Sequence, residues 1–516
     1  MGLNQWSLEI PAPIAPSHTS DRRVASLLPH AVFLTLITAV SFIRWRLLRD
    51  TPYPTGLDGG NWLAFGHAIF GTHIRSSSLV YPPVVPLLAV FAERLFGTYG
   101  GLQVLAFLAA AAPAIGMYIL LYAWGLGWRA AVLASFLAAS AATGEAMAWG
   151  GYPQLIGLGL LPVFVLALDH FLTSQRFVTA LPPAAILLTS LATSELVGPF
   201  TAIVGLIYLI GRYSFLRVKH QGNSPRNVAY GAGVSALLAL LVAPIYLALA
   251  PGVSATEHAK LAGTGSLLNA IDDIRATTLD LPSFWQVGLV LALLTPVTIL
   301  TRSHRLAALT VAGVVPVLAL LVWSGENRLA YFVPVAIVGG LAAWWLLAAR
   351  TPVWSQWTVD AAVVTFLALD ILVGTQYFAS DRNYYTILTP SVVQGFTELQ
   401  KHSRVNDVIA VSPTANDWEL GWWIEGAVVR RSIYAGNPIW LTNADEKARN
   451  AIANRIFSPD ATVADSVSVA RDAGAAYLFV DKDWFGYADW NSKGRSLSSN
   501  AIVYENQSVL IISAGG

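Results

Sequence analysis

Two hydrophobic rhythms divide the chain. From residue 28 to residue 377 the apolar positions come in long, nearly unbroken runs; beyond about 378 they come in runs of five or six, set between polar residues. Crossing roughly 30 Å of hydrocarbon takes about 20 residues of helix, somewhat fewer at the short end of the range. Eleven windows meet that need, at 28–44, 101–124, 129–147, 152–172, 179–194, 197–211, 228–250, 284–301, 306–323, 330–349 and 358–377. A twelfth apolar piece, 82–96, is short, opens on Pro82-Pro83 and contains Glu93-Arg94. It is either a span or a helix lying in the interface, and that choice flips the topology of everything after it. The shorter rhythm of the tail contains the β-rich runs 408–412, 476–480 and 508–513, with helical stretches at 445–457 and 463–472 and Gly474 as a helix stop. Strands alternating with helices predict a small α/β domain.

Composition agrees with the long runs. Of 516 residues, 55% are hydrophobic and 12% charged, too few charges to cover a soluble particle of this size. The expected fold class is therefore a polytopic α-helical membrane protein of about eleven transmembrane helices, residues 1–377, followed by an extracytoplasmic α/β domain, residues 378–516. The 18 Trp suit interfacial belts. A net charge of +1 gives no reason to invoke nucleic acid, and the absence of cysteine excludes disulfides, thiolate metal sites and cysteine nucleophiles. Arg22 and Arg23 precede the first apolar run with no small-residue cleavage site after it, which reads as a retained first helix.

Basic residues orient the spans. With 82–96 in the interface, Arg129, Arg176, the loop Arg212/Arg217/Lys219/Arg226, Arg302/Arg305 and Arg350 all fall on one side, the cytoplasm. The N-terminus is then cytoplasmic, while the first loop (45–100), the turns around Glu145 and Glu195, the loop 251–283, the turn at 326–328 and the C-terminal domain lie outside. Arg44, Arg46, Arg49 and Arg75, in the outer first loop, run against this bias.

In that first loop stands Tyr53-Pro-Thr-Gly-Leu-Asp58-Gly-Gly-Asn-Trp62. A carboxylate where a membrane helix meets water is costly and rarely idle, so Asp58 is the leading candidate for chemistry; the alternative is that it caps the helix beginning at Gly59. Asp169-His170 sit near a span end and are expected to face headgroups or cavity water, without a role. Asp272-Asp273 read as solvated loop charge.

The first helix, the long outer loop with its early Asp, a Tyr-Pro-Pro motif opening a juxtamembrane helix that ends in Leu-Phe-Gly (81–97), an acidic residue in the next outer loop and a soluble C-terminal domain together resemble the GT-C glycosyltransferases, membrane enzymes that use lipid-linked sugar donors. The resemblance implies juxtamembrane helices in the first outer loop. It also places Asp58 at the family's first-loop catalytic carboxylate, and Glu145, in Thr143-Gly-Glu145-Ala-Met-Ala-Trp149-Gly-Gly-Tyr152-Pro153, at its second-loop acidic residue. The first loop has Asp-Gly-Gly-Asn where some members pair acidic residues, and the second lacks an Asp-x-Glu pair. No cofactor is therefore expected, and a divalent metal is not favoured. Trp418-Glu-Leu-Gly-Trp422-Trp423-Ile424-Glu425-Gly426 looks like the acceptor-reading Trp-Trp-Asp-Tyr-Gly signature of oligosaccharyltransferases, with Ile and Glu in place of Asp and Tyr. On that reading Trp422, Trp423 and Glu425 bind acceptor; on the other, they are an aromatic patch that packs the soluble domain onto the membrane.

The implied reaction needs a base for the acceptor proton, and a lone base suits inversion. A leaving phosphate calls for cations, and Arg75, Arg275, Arg328 and Lys260 are the outer-face candidates. His67 is a further candidate for acceptor or phosphate, and Glu195 for lining the same cavity. The expected partners are a polyprenyl-phosphate sugar donor, membrane lipid, and an acceptor that is protein, lipid or polysaccharide. Two other classes of function fit a chain of this kind. A transporter or flippase of a lipid-linked intermediate would need charges near mid-membrane and usually an inverted repeat. A non-catalytic scaffold would bind a partner or glycan through its outer domain.

Overall fold

The computed structural model describes residues 19–47, 51–72, 81–125, 146–174, 177–219, 384–438, 444–493 and 501–515, with scattered positions at 128–136, 305–313, 361 and 441. The expected spans at 228–250, 284–301 and 330–349 lie outside them, as do most of 129–147, 306–323 and 358–377.

Apolar runs become helices where they were expected. They are α1 (Thr19–Leu47), α4 (Thr98–Ala123), α5 (Tyr152–Ser174), α6 (Leu181–Leu191) and α7 (Val197–Lys219), with α2 (Asp58–Ile69) and α3 (Val84–Phe96) between the first and the second. Among the described residues, α4 and α5 are long and apolar enough to cross a bilayer. Both are buried along much of their length, packed on each other, with α1 and α3 against α4 and with α6 and α7 against α5. The Phe33 ring of α1 stacks on Tyr118 of α4 at 4.0 Å.

Helix α3 makes up most of the 82–96 segment. Thirteen residues of helix rise about 20 Å, too little to cross the hydrocarbon. Its Val85, Pro86, Ala89 and Val90 are buried, while Leu87, Leu88, Phe91, Leu95 and Phe96 are exposed on the other face.

One expectation is overturned within the bundle. Asp169, on α5, does not face headgroups or cavity water. It is 3% exposed, accepts hydrogen bonds from Tyr208 Oη and Arg212 Nε at 2.9 Å each, and pairs with Arg305 Nε at 3.0 Å. A buried carboxylate persists only with such partners, and these come from sequence positions that local reading cannot connect. His170, its neighbour, is exposed.

The tail folds as expected, around a five-stranded sheet in the order β2-β1-β3-β5-β4. Its strands are β1 (Val408–Val411), β2 (Arg431–Tyr434), β3 (Ala475–Asp481), β4 (Ile502–Glu505) and β5 (Val509–Ser513). The first three run parallel; β5 is antiparallel to β3 and to β4. Period-two alternation sends Ile409, Val411, Phe479, Val509 and Ile511 to one face, where α8 (Pro390–His402) covers them. It sends Ala410, Ile433, Leu478, Val480 and Ile512 to the other, under α10 (Ala444–Ile456) and α11 (Val463–Asp472). A reciprocal Thr462–Asp465 capping box starts α11, and Gly474, at φ +80°, follows its end.

The face under α8 shares one continuous apolar core with the helices of the first half, reaching Leu57, Trp62 and Tyr152. Between β1 and β2 the chain forms α9 (Gly421–Trp423), which widens into a π turn over Ile424–Val428 and ends at Val429 in the left-handed region, φ +59°. The carboxyl ends of the parallel strands, where open α/β sheets place ligands, thus lead into a segment that packs on α2.

Candidate active site

Loop 51–57 is stitched to the α/β domain before it reaches Asp58. Thr51 Oγ1 donates to the Leu388 carbonyl at 3.3 Å, and the Gly56 amide to the Tyr385 carbonyl at 3.0 Å. Gly56 sits at φ +94°, where an added Cβ would lie 2.5 Å from the Trp149 carbonyl carbon. Only glycine fits so left-handed and crowded a place.

Asp58 is the first residue of α2 and is half-buried; Leu57 precedes it in the capping position, so Asp58 is not the N-cap. A carboxylate in the first helical turn is still favoured by the helix dipole. Two backbones close on this turn. From one side comes Gly150, at φ +97°, where a Cβ would lie 3.1 Å from that of Asp58, and whose carbonyl accepts the Trp62 indole N–H at 2.8 Å. From the other side comes α9: a Cβ on Gly60 would lie 2.7 Å from the Trp422 carbonyl oxygen and from the Trp423 Cα. The Trp423 indole donates to the Gly56 carbonyl at 3.2 Å, and Tyr152 lies within electrostatic range of Asp58.

The Tyr-Pro-Pro motif supports the same turn. The Tyr81 ring packs on Trp62 with centroids 4.6 Å apart, and the Val84 amide donates to the Ala192 carbonyl at 2.9 Å. That bond brings the α6–α7 turn, and with it the half-buried Glu195, against the start of α3. Glu145, Arg75, Arg275, Arg328 and Lys260 lie outside the described residues; the turn that follows Glu145, 146–151, is the one abutting Asp58. His67 is at the far end of α2, about 13 Å along the axis, where its Nε2 is 3.1 Å from Glu93 Oε2. It stands with Glu93, not with Asp58.

Trp422, Trp423 and Glu425 occupy the junction between the two halves. Trp422 is 4% exposed, and Trp423 and Glu425 are fully buried. Glu425 Oε1 is 2.6 Å from Arg449 Nη1 and 3.1 Å from the Ser432 hydroxyl. All three contact the protein itself and present no open face to an acceptor. The glycines of Asp-Gly-Gly-Asn make room for Trp423: a Cβ on Gly59 would lie 3.0 Å from its Cη2, and one on Gly60 2.7 Å from its Cα.

Sequence reading passed over Glu419. It lies on the loop after β1, has no exposed surface, and neither carboxyl oxygen has a hydrogen-bond partner. Burial pushes its carboxyl up to about 9; its own backbone N–H pulls the other way, and Asp417, Asp58 and Glu446 add to the rise. The signal was present: one acid in the otherwise apolar, aromatic run from Trp418 to Ile424. Nearby, Tyr384, Tyr385 and Trp418 form an aromatic cluster, with Trp418 centroids 5.4 Å from Tyr384 and 5.8 Å from Tyr385. Among the described residues no three His, Asp or Glu side chains converge closely enough to hold a metal ion.

The arrangement offers a half-exposed carboxylate at a helix N-terminus, walled by aromatic rings, where the membrane helices meet the α/β domain. Comparison with known proteins gives it a context. No family model and no curated protein matches the chain. Solved structures do. ArnT from Cupriavidus metallidurans bound to undecaprenyl phosphate superposes with a TM-score of 0.58 at 14% identity, covering 93% of this chain and 98% of that one. ArnT in the apo state gives 0.57, also at 14% identity, over 94% and 98%. The mycobacterial arabinofuranosyltransferase AftD gives 0.56 at 14% identity over 93% of this chain, which matches 40% of AftD's length. Superposition at these scores over nearly the whole chain shows the fold: the chain has the GT-C fold.

Proposed function

We propose that the protein is an integral membrane glycosyltransferase. It moves a sugar from a polyprenyl-phosphate donor to an acceptor on the extracytoplasmic face, with inversion at the anomeric carbon. The observation that carries this reading is the placement of Asp58, half-buried between the Gly150 turn and the α/β domain. A fold shared with a protein solved with undecaprenyl phosphate bound adds to it.

In this mechanism the acceptor oxygen or nitrogen attacks C1 as the bond from C1 to the phosphate oxygen breaks. Asp58 takes the acceptor proton, and the phosphate leaves as an anion. Surrounding rings, among them Trp62 and Tyr81, limit water around the base. Glu145 lends a second carboxylate, and Arg75, Arg275, Arg328 and Lys260 receive the phosphate, since guanidinium and ammonium groups match its charge. Eleven spans, a cytoplasmic N-terminus and a plasma-membrane location complete the proposal.

The test is turnover of a panel of polyprenyl-phosphate pentoses and hexoses by the full-length protein in native membranes. Asp58→Asn should slow transfer by about 10²–10⁴-fold, the usual worth of a positioned base. Wild-type turnover in that variant would refute the role of Asp58. Absence of turnover with every donor, together with glycan binding by the same protein, would establish a scaffold in place of an enzyme.

A further inference from the structure

The loop after β1 holds a group that the mechanism does not use. Glu419 is wholly enclosed, and both its oxygens lack partners. Gly436 closes over it, since a Cβ there would lie 2.9 Å from Glu419 Cγ and 3.0 Å from Oε1. Among the described residues, the charged groups within electrostatic range of it are Asp417 of its own loop, Asp58 of α2 and Glu446 of α10, every one of them acidic. An ionised carboxylate sealed among acids, with no side-chain donor to hold it, is the arrangement that proteins avoid; such a group keeps its proton. Where two carboxyls share a site, their environments separate their duties. The wholly buried one holds the proton, and the half-exposed one at the helix N-terminus carries the charge.

We propose that Glu419 is a positioning residue for Asp58: an uncharged acid in the loop that leads into α9, against the first turn of α2, which spares the site a further negative charge and so lets an anionic donor phosphate lie beside the base. The inference rests on Asp58 being the base, as proposed above. It extends that reading by tying donor binding to the protonation of a residue in the α/β domain. When Glu419 is neutral, it adds nothing to the negative charge that the donor phosphate meets. Once Glu419 loses its proton to hydroxide, one more negative charge appears near Asp58. The donor phosphate is then repelled, while the chemistry at C1 is unchanged once the donor is bound.

The experiment follows the donor KM and kcat of wild type, Glu419→Gln and Glu419→Ala across pH 7 to 10, with thermal unfolding recorded at each pH. Glutamine keeps the shape of the protonated acid and has no proton to lose. Expected for wild type is a rise in donor KM of about tenfold, one pK unit of coupling, as pH passes about 9, with kcat changing little. Glu419→Gln should hold wild-type KM and kcat at pH 7 and show no such rise. Glu419→Ala, which leaves a void in that loop, should lose kcat at every pH, and glutamine at the same position should restore it. An identical alkaline rise in KM for wild type and Glu419→Gln would overturn the inference, as would a Glu419→Gln enzyme as slow as Asp58→Asn at pH 7 although it unfolds at the wild-type temperature. Both outcomes differ from failure of the glycosyltransferase reading, in which wild type itself turns over no donor.

Discussion

Replacing Gly60 with alanine perturbs the site through its scaffold. The added methyl would lie 2.7 Å from the Trp422 carbonyl oxygen and 2.7 Å from the Trp423 Cα. Comfortable contact is about 3.5 Å, so α2 and α9 must part by about 0.8 Å. Both obstacles are backbone atoms, and no rotamer change relieves the clash. Helix propensity favours alanine by about 1 kcal/mol, and overpacking opposes it by about 1–3 kcal/mol. Net stability therefore falls by at most about 2 kcal/mol, and the protein still folds. Asp58 is two residues away in the same helical turn and moves with the backbone. Misplacement of a reacting group by about 1 Å costs about 10²-fold, so turnover should drop by a factor of about 30 to 100. Gly100→Ala is the control, because a Cβ there meets only Phe96 Cβ at 3.6 Å, an ordinary contact. The assay compares donor turnover by the two variants at a temperature where both remain folded. Equal rates would refute the reasoning, since either the backbones are not in close contact or the base does not depend on that contact.

Two further perturbations test the supporting structure. Asp169→Asn leaves the buried Arg212 without its counter-charge, and breaking such a pair costs about 3–5 kcal/mol; Arg305→Ala should cost less because that side chain is 41% exposed. Thermal unfolding in detergent reads both, and an unshifted midpoint for Asp169→Asn would show that the cluster contributes nothing. Asp481, at the end of β3, is pushed by burial up to about 7. The native state therefore holds a proton that the unfolded chain releases between about pH 4 and 7, and stability present below that window falls by about 1.4 kcal/mol per pH unit across it. Asp481→Asn should remove that slope, and a pH dependence of the unfolding midpoint equal to that of wild type would contradict the assignment.

What the sequence revealed depended on how far apart the interacting residues stand. Runs such as 476–480 and 508–513 announce strands because β-branched and aromatic residues stand next to one another. Arg431–Tyr434 and Ile502–Glu505 were missed because four-residue strands with polar ends carry too short a signal. Asp58 was legible as an acid out of place. The work of Gly60 was not, since it is set by Trp422 and Trp423, more than 350 positions away. Asp169 was misread for a similar reason: its partners Tyr208, Arg212 and Arg305 lie on other helices. Glu419 could have been suspected, because an acid in an apolar, aromatic run must either find a cation or stay neutral. Which of the two applies depends on neighbours from α2 and α10, and only the folded chain brings them together.

The common core under α8 has a consequence for how such a molecule can be built. Composition draws a border near residue 378, yet Phe396, Phe479 and Val509 belong to the same apolar mass as Leu57 and Trp62. A chain severed at that border would leave one side of the sheet greasy and bare. The C-terminal piece is better understood as a stopper ground to fit one rim: neither part can be traded for a foreign counterpart without recutting the seam.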